Sequence, residues 1–111
     1  MLPQQLKVGS AYYQVTYADR DLKIPAIEPM IYVGVNLFDS DAESPTPVYT
    51  FQDTVSYFRF GSFVKYSGPV DLTEEGLLTY SFSEQQLLEL EDLQGAARAL
   101  QESLNRSRGG K

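Results

Sequence analysis

From Ser10 to about Tyr66 the chain is dense in Tyr, Phe, Val and Ile, residues that suit a pleated and half-buried surface, and its apolar runs read as strands. The run AYYQVTYAD puts Tyr13, Val15 and Tyr17 on one face and Tyr12, Gln14 and Thr16 on the other, which predicts a first strand. RDLKIPAIEP carries prolines that cannot donate to a ladder, so it reads as a connecting loop. MIYVGVNLF is apolar on both faces and predicts a central strand covered on both sides. Gly34 within it marks a bulge, a sharp coil or the close approach of another backbone. DSDAESPTP reads as a surface turn, and VYTFQD returns as a third strand with Tyr49 and Phe51 on one face and Val48, Thr50 and Gln52 on the other.

TVSYFRFGSFVKY carries both periods. Val55 and Phe58 fit a short helix capped by Asp53 and ended near Gly61, whereas Phe58, Phe60 and Val64 fit a strand. The reading adopted is the short helix, then a strand through Phe63 and Lys65. SGPVDLTEEGL holds turn signals at Gly68, Pro69 and Gly76, and LLTYSF supplies a short strand or an extended lead-in.

Beyond this point the period changes to that of a helix. Ser83 is placed to cap, Gln86 to reach back to it and Phe82 to staple onto Leu87, so a helix is predicted to start at Glu84. It is expected to run to about Arg106, with a flexible basic tail over 107–111. Leu90, Leu93, Ala97, Leu100 and Leu104 fall at alternating three- and four-residue steps, the spacing of a narrow coiled-coil seam. Such a stripe either docks on the open face of the sheet or meets a partner helix. A helix of about 23 residues spans roughly 34 Å, longer than so small a sheet covers. An overhanging surface of Ala96, Ala97, Ala99 and Leu100 would call for another chain, most economically in a symmetric dimer with antiparallel helices. Gly95 costs about 1 kcal/mol of helix propensity, which a close crossing or a mild bend would rationalise.

The elements together predict an α+β fold in a single domain over residues 1–111: a strongly curled antiparallel sheet of about four to five strands in the 10–82 part, followed by one long amphipathic C-terminal helix over 83–106. A first strand after Lys7-Val8-Gly9, a loop and a meander of aromatic strands is similar in architecture to small five-stranded barrels of the Tudor type. That likeness assigns no residue a role.

Composition narrows the chemistry sharply. The 111 residues contain no Cys and no His, which removes thiolate and imidazole nucleophiles, imidazole acid–base work, disulfides and the commonest metal ligands. No cofactor is expected. What remains is carboxylate, hydroxyl and amine chemistry. The start MLPQQLKVGS lacks the basic start and apolar run of a signal peptide, and no stretch is apolar enough to span a membrane, so a soluble cytoplasmic protein of bacterial type is expected. The net charge of −6 repels nucleic acid and anionic membrane, neither of which is an expected partner. Between Ile24 and Phe58, and again between Tyr66 and Ala97, the charged residues are all acidic, and the last residues, with Arg98, Arg106, Arg108 and Lys111, reverse the sign.

Three candidate sites follow. Asp39, Asp41 and Glu43 repeat as the first oxygen ligands of a calcium loop do, but Ser44 and Thr50 stand where the loop needs Gly and a bidentate Glu. Asp19, Asp21 and Glu28 supply carboxylates for hydrolytic chemistry only if the fold converges them across a cleft, and Arg20 and Lys23 interleave with them as in a solvated turn. The aromatic residues Tyr12, Tyr17, Tyr32, Tyr49, Tyr57, Phe58 and Phe60 either build the core of a chain without Trp or leave a few rings as an interface. Arg59 sits among the last of them.

The function expected is therefore a small acidic, non-enzymatic binding module whose partner is a protein or a second copy of itself. Contact is assigned to the helix seam at Leu93, Ala97, Leu100 and Leu104, or to the aromatic run Tyr57, Phe58, Arg59 and Phe60. A carboxylate- or cation-dependent enzyme, and an inhibitor or immunity-type protein covering a basic surface, are the alternatives from other classes.

Overall fold

The computed structural model describes residues 1–65 and 78–109. Strands β1 (Ala11–Tyr17), β2 (Pro25–Val35), β3 (Val48–Asp53), β4 (Thr79–Ser83) and β5 (Leu90–Glu91) form one antiparallel sheet in the order β4-β3-β2-β1-β5. Helix α1 (Thr54–Phe60) follows β3, a single turn α2 (Glu84–Leu87) follows β4, and α3 (Leu93–Gly109) closes the chain. The α+β class, the antiparallel sheet and the C-terminal helix are as the sequence implies. Among the described residues the sheet is neither closed nor strongly curled, with β4 and β5 at its two edges, so the expected curled, barrel-like form is not seen there.

Strand alternation sorts the residues onto two covered faces. Tyr12, Met30, Tyr32, Tyr49 and Phe51 share one face and form the main core with Leu87 and Leu90, while Met1, Leu6, Tyr80 and Phe82 pack around its margin. Phe51 is fully buried at its centre, in contact with Tyr32 and edge-on to Tyr12 and Phe82. Tyr17 and Gln52 lie on the opposite face, where Arg106 of α3 reaches Tyr17 and Ser56 of α1 reaches Gln52. β2 is thus central and covered on both sides, as its unbroken apolar run predicts. The ladder is irregular between Tyr32 and Gly34, and a Cβ at Gly34 would meet the Leu37 side chain at 2.8 Å, so both a bulge and a close approach explain that glycine.

Prolines do not keep residues 25–29 out of the sheet. Pro25 pairs with Tyr17 and Pro29 with Tyr13, so the predicted loop RDLKIPAIEP is in its second half the start of β2. The reason is parity. Ala18 N–H donates to Ile24 O and Tyr32 N–H to Ser10 O, which places the hydrogen-bonded pairs at even positions of β1 and leaves both prolines at positions that owe β1 no donor. The β2–β3 ladder begins only at Met30, so no described strand takes donors from the prolines on the other side.

α1 forms where Asp53 and Gly61 predict it. The Asp53 carboxylate accepts from Ser56 N–H at 3.0 Å, and Gly61 ends the helix at φ 76°, a left-handed conformation that suits glycine. Residues 63–65 then make a turn, not the strand expected through Phe63 and Lys65. The buried Gln52 amide fixes this turn, donating to Ser56 Oγ and Gly61 O and accepting from Phe63 N–H at 2.8 Å. The turn signals of SGPVDLTEEGL fall on residues outside those described, apart from part of LLTYSF, which is β4.

The predicted helix over 83–106 is broken. Its capping box is present, with Ser83 Oγ accepting from Gln86 N–H and Gln86 Oε1 from Ser83 N–H, but the helix stops after one turn at Leu87. Leu87 and Leu90 both enter the core, at 0% and 1% exposure, and Leu90 and Glu91 extend into β5 to pair with Gln14 and Tyr13. The Met1 amino group donates to the carbonyls of Leu87 and Leu90, at 2.6 and 3.1 Å, which compensates acceptors freed by the break. Asp92 then starts a new helix: its carboxylate accepts from Gly95 N–H at 2.8 Å and its carbonyl from Ala96 N–H. α3 is 17 residues long, and it includes Ser107 and Arg108, which the sequence assigns to a flexible tail.

Candidate interaction surface

α3 presents two unlike stripes. Ala96 and Ser103 are each 3% exposed, Gly95 is buried and Ala99 is half-buried; these small residues let the helix axis approach β1 and β2, and Arg106 beyond them is half-buried. About a third of a turn around the helix, Leu93, Leu100 and Leu104 stand 67%, 48% and 42% exposed, with Ala97 also exposed between them. The seam predicted from the spacing is therefore present from residue 93 onward, but Leu90 has left it for β5 and the core. Of the surface expected to overhang, Ala96 and Ala99 turn to the sheet, while Ala97 and Leu100 turn outward.

Both ends of α3 are tethered, which fixes how it is rotated. At the start, Asp92 caps the helix and Glu91 occupies the space beside Gly95. At the end, Arg106 Nε donates to Leu22 O at 2.8 Å, and its Nη2 donates to Ser103 Oγ at 3.2 Å and to Tyr17 Oη at 3.5 Å. The same guanidinium lies 5.7 Å from the centre of the Tyr17 ring. Leu22, whose carbonyl it binds, holds a left-handed conformation at φ 58°. A helix pinned in this way cannot roll its leucines inward without losing both anchors.

On α1 the burial of Ser56 turns Val55 and Phe58 outward, at 61% and 91% exposure. Of the aromatic run singled out by the sequence, Phe58 and Arg59 are exposed and Tyr57 and Phe60 half-buried, with the Arg59 guanidinium 5.4 Å from the Phe60 ring centre. Tyr12, Tyr32 and Tyr49 are core residues. Burial, together with the neighbouring Tyr49 and Tyr12, pushes the Tyr32 phenol above its ordinary value.

The carboxylates are dispersed into local roles. Asp19 accepts from Lys23 N–H and Ile24 N–H at 3.0 and 2.8 Å; desolvation is the largest single influence and acts to raise its pKa, but the backbone donors of Ile24, Lys23 and Asp19 itself, with the Lys23 charge, together outweigh it and hold the carboxyl below the ordinary range. Glu28 accepts from Tyr80 Oη at 3.5 Å, and burial followed by the charges of Glu28 and Asp53 pushes that phenol up. Asp41 accepts from Phe38 N–H in the 3-10 turn Asp39–Glu43. Among the described residues no group of three carboxylates is placed to hold a metal ion, and no helix is long and apolar enough to cross a membrane. A polar cleft between β1 and α3 gathers Tyr17, Glu89, Glu91, Arg98 and Glu102.

No family model, curated protein or solved structure matches the chain.

What the sequence alone misses is the break. Leu87, Leu90, Leu93 and Ala97 keep one helical period straight through it. The available signal is Asp92 with Gly95 three positions on, a capping carboxylate and a helix-disfavouring glycine inside an otherwise unbroken pattern.

Proposed function

We propose that this protein is a non-enzymatic binding module that engages a protein partner through the outer stripe of α3, Leu93, Ala97, Leu100 and Leu104. The observation that carries the reading is the inversion on that helix: Gly95, Ala96, Ala99 and Ser103 face the sheet while all three of its leucines face water. A monomeric helix gains most by burying its largest apolar side chains, each stabilised by roughly 1.5–3 kcal/mol when removed from water. Leaving them out is the pattern of a surface completed by another chain. Phe58 and Val55 on α1 provide a second exposed apolar pair. The lack of His and Cys supports a binding role over catalysis.

A photo-crosslinking residue placed at position 97 in the protein's own cells tests this, with the same residue at Thr16 as control. The expected result is one discrete adduct that disappears when Leu100→Glu is added, and whose isolated partner binds the parent chain but not the Leu100→Glu variant. Adducts equal to those of the Thr16 control, or unaffected by Leu100→Glu, overturn the reading.

A further inference from the structure

Resting on that reading, we infer that the partner is a second copy of this chain, with two α3 helices packed antiparallel about a twofold axis between Arg98 and Ala99. The stripe is self-complementary about that point. Leu93 and Leu104 are equidistant from it, and so are Ala97 and Leu100. A twofold axis there sets Leu93 against the partner's Leu104, and each small Ala97 against the partner's large Leu100, so that protrusion meets hollow twice.

Charge agrees with the same geometry. The stripe carries no ionised side chain: its outer flank is Gln94 and Gln101, and its inner flank is Ala96 and Ser103. Self-pairing therefore brings no like charges together along its length. The two ends of α3 are opposite in sign, with exposed Asp92 capping its start and exposed Arg108 in its last turn. Antiparallel packing brings the acidic start of each helix to the basic end of the other. It also sets each helix start beside the other's end, which is the favourable arrangement of the dipoles. Parallel packing would instead juxtapose Arg108 with Arg108. From Leu93 to Leu104 the stripe spans about three turns, roughly 17 Å. A contact so short places the dimer among weak, exchanging interfaces.

The chain has no cysteine, so Ala97→Cys and Leu100→Cys each introduce a single thiol. Mixed together under mild oxidation, the two variants are expected to form the disulfide heterodimer at least about tenfold faster than either forms a homodimer alone, because only the antiparallel pair places these positions opposite each other at high effective concentration. Sedimentation equilibrium of the parent is expected to show a concentration-dependent rise from 12.5 kDa towards twice that mass. Arg108→Glu is expected to weaken association several-fold, because it sets like charges together at the two ends of the pair. Homodimeric disulfides that outpace the mixed one, or a single 12.5 kDa species at every concentration, overturn the proposal. In the latter case a position-97 adduct to a different protein leaves the binding-module reading standing, and the absence of any such adduct removes both.

Discussion

The carboxyl group of Glu91 fills the space that a side chain at Gly95 would enter: a Cβ built there would lie 2.9 Å from Glu91 Cδ and 3.1 Å from Glu91 Cβ. Glu91 ends β5 and Gly95 lies in the first turn of α3, so the reversal from strand to helix closes on itself with room for a hydrogen atom and no more. This contact, with the Asp92 cap, sets where the helix begins and which of its faces looks outward.

Replacing Gly95 by Ala inside a helix ordinarily gains up to about 1 kcal/mol. Here Gly95→Ala is expected to give no gain, or a loss of up to about 1 kcal/mol, because the Glu91 side chain must leave its site. In a Glu91→Ala background the gain is expected to return. Urea unfolding of the four chains of this double-mutant cycle measures it, and an equal gain in both backgrounds would show that the crowding is without consequence.

Arg106 anchors the far end. Arg106→Ala removes the donors to Leu22 O, Ser103 Oγ and Tyr17 Oη and is expected to cost about 1–2 kcal/mol, with faster amide exchange in the last turns of α3. Arg106→Lys is expected to recover less than half of the loss, since an ammonium does not reproduce the planar fork over the Tyr17 ring. Unchanged exchange in α3 would mean that the helix is held elsewhere.

Gln52 is fully buried and its amide serves three partners in the α1 region. Gln52→Leu keeps the volume but leaves Gly61 O and Phe63 N–H without this partner, and is expected to destabilise by about 2–4 kcal/mol in chemical denaturation. A loss below about 0.5 kcal/mol, the range of ordinary surface changes, would show that water replaces the amide.

Much of the sheet is legible in single residues. Tyr49 and Phe51 alternate with Thr50 and Gln52 as they do in β3, Asp53 and Gly61 bracket α1, and Ser83 with Gln86 forms the capping box of α2. What local pattern does not carry is competition between elements. Leu87 and Leu90 suit a helix, yet the core of Tyr12 and Phe51 takes them, and that demand comes from residues far away in the chain. Pro25 and Pro29 read as loop because their parity in the ladder is set by the register with β1. The stripe at Leu93, Ala97, Leu100 and Leu104 is visible in the spacing, but which face of α3 meets the sheet is decided by Gly95, Ala96 and Ser103 against β1 and β2. Small residues carry little signal in a hydrophobic pattern.

Asp19 gives the chain an acid-sensitive loop. Its carboxyl has a folded pKa below the unfolded value, so its contribution to stability is present above the unfolded pKa and is lost as pH falls through the folded one, in the range of roughly pH 4 and below. The parent is expected to lose more stability than Asp19→Asn on acidification through that range. Parallel pH profiles of the two chains would exclude a role for Asp19 in acid unfolding.

The outward placement of Leu100 is tested most directly by urea unfolding of Leu100→Glu beside Ala96→Glu, at a protein concentration where both sediment as monomers. A leucine that belongs to an interface and not to the chain's own core gives a Leu100→Glu variant within about 0.5 kcal/mol of the parent, while the buried Ala96→Glu loses several kcal/mol or fails to fold. A Leu100→Glu variant that loses as much as Ala96→Glu would mean that this stripe is packed within the chain itself, and would contradict its assignment as a binding surface.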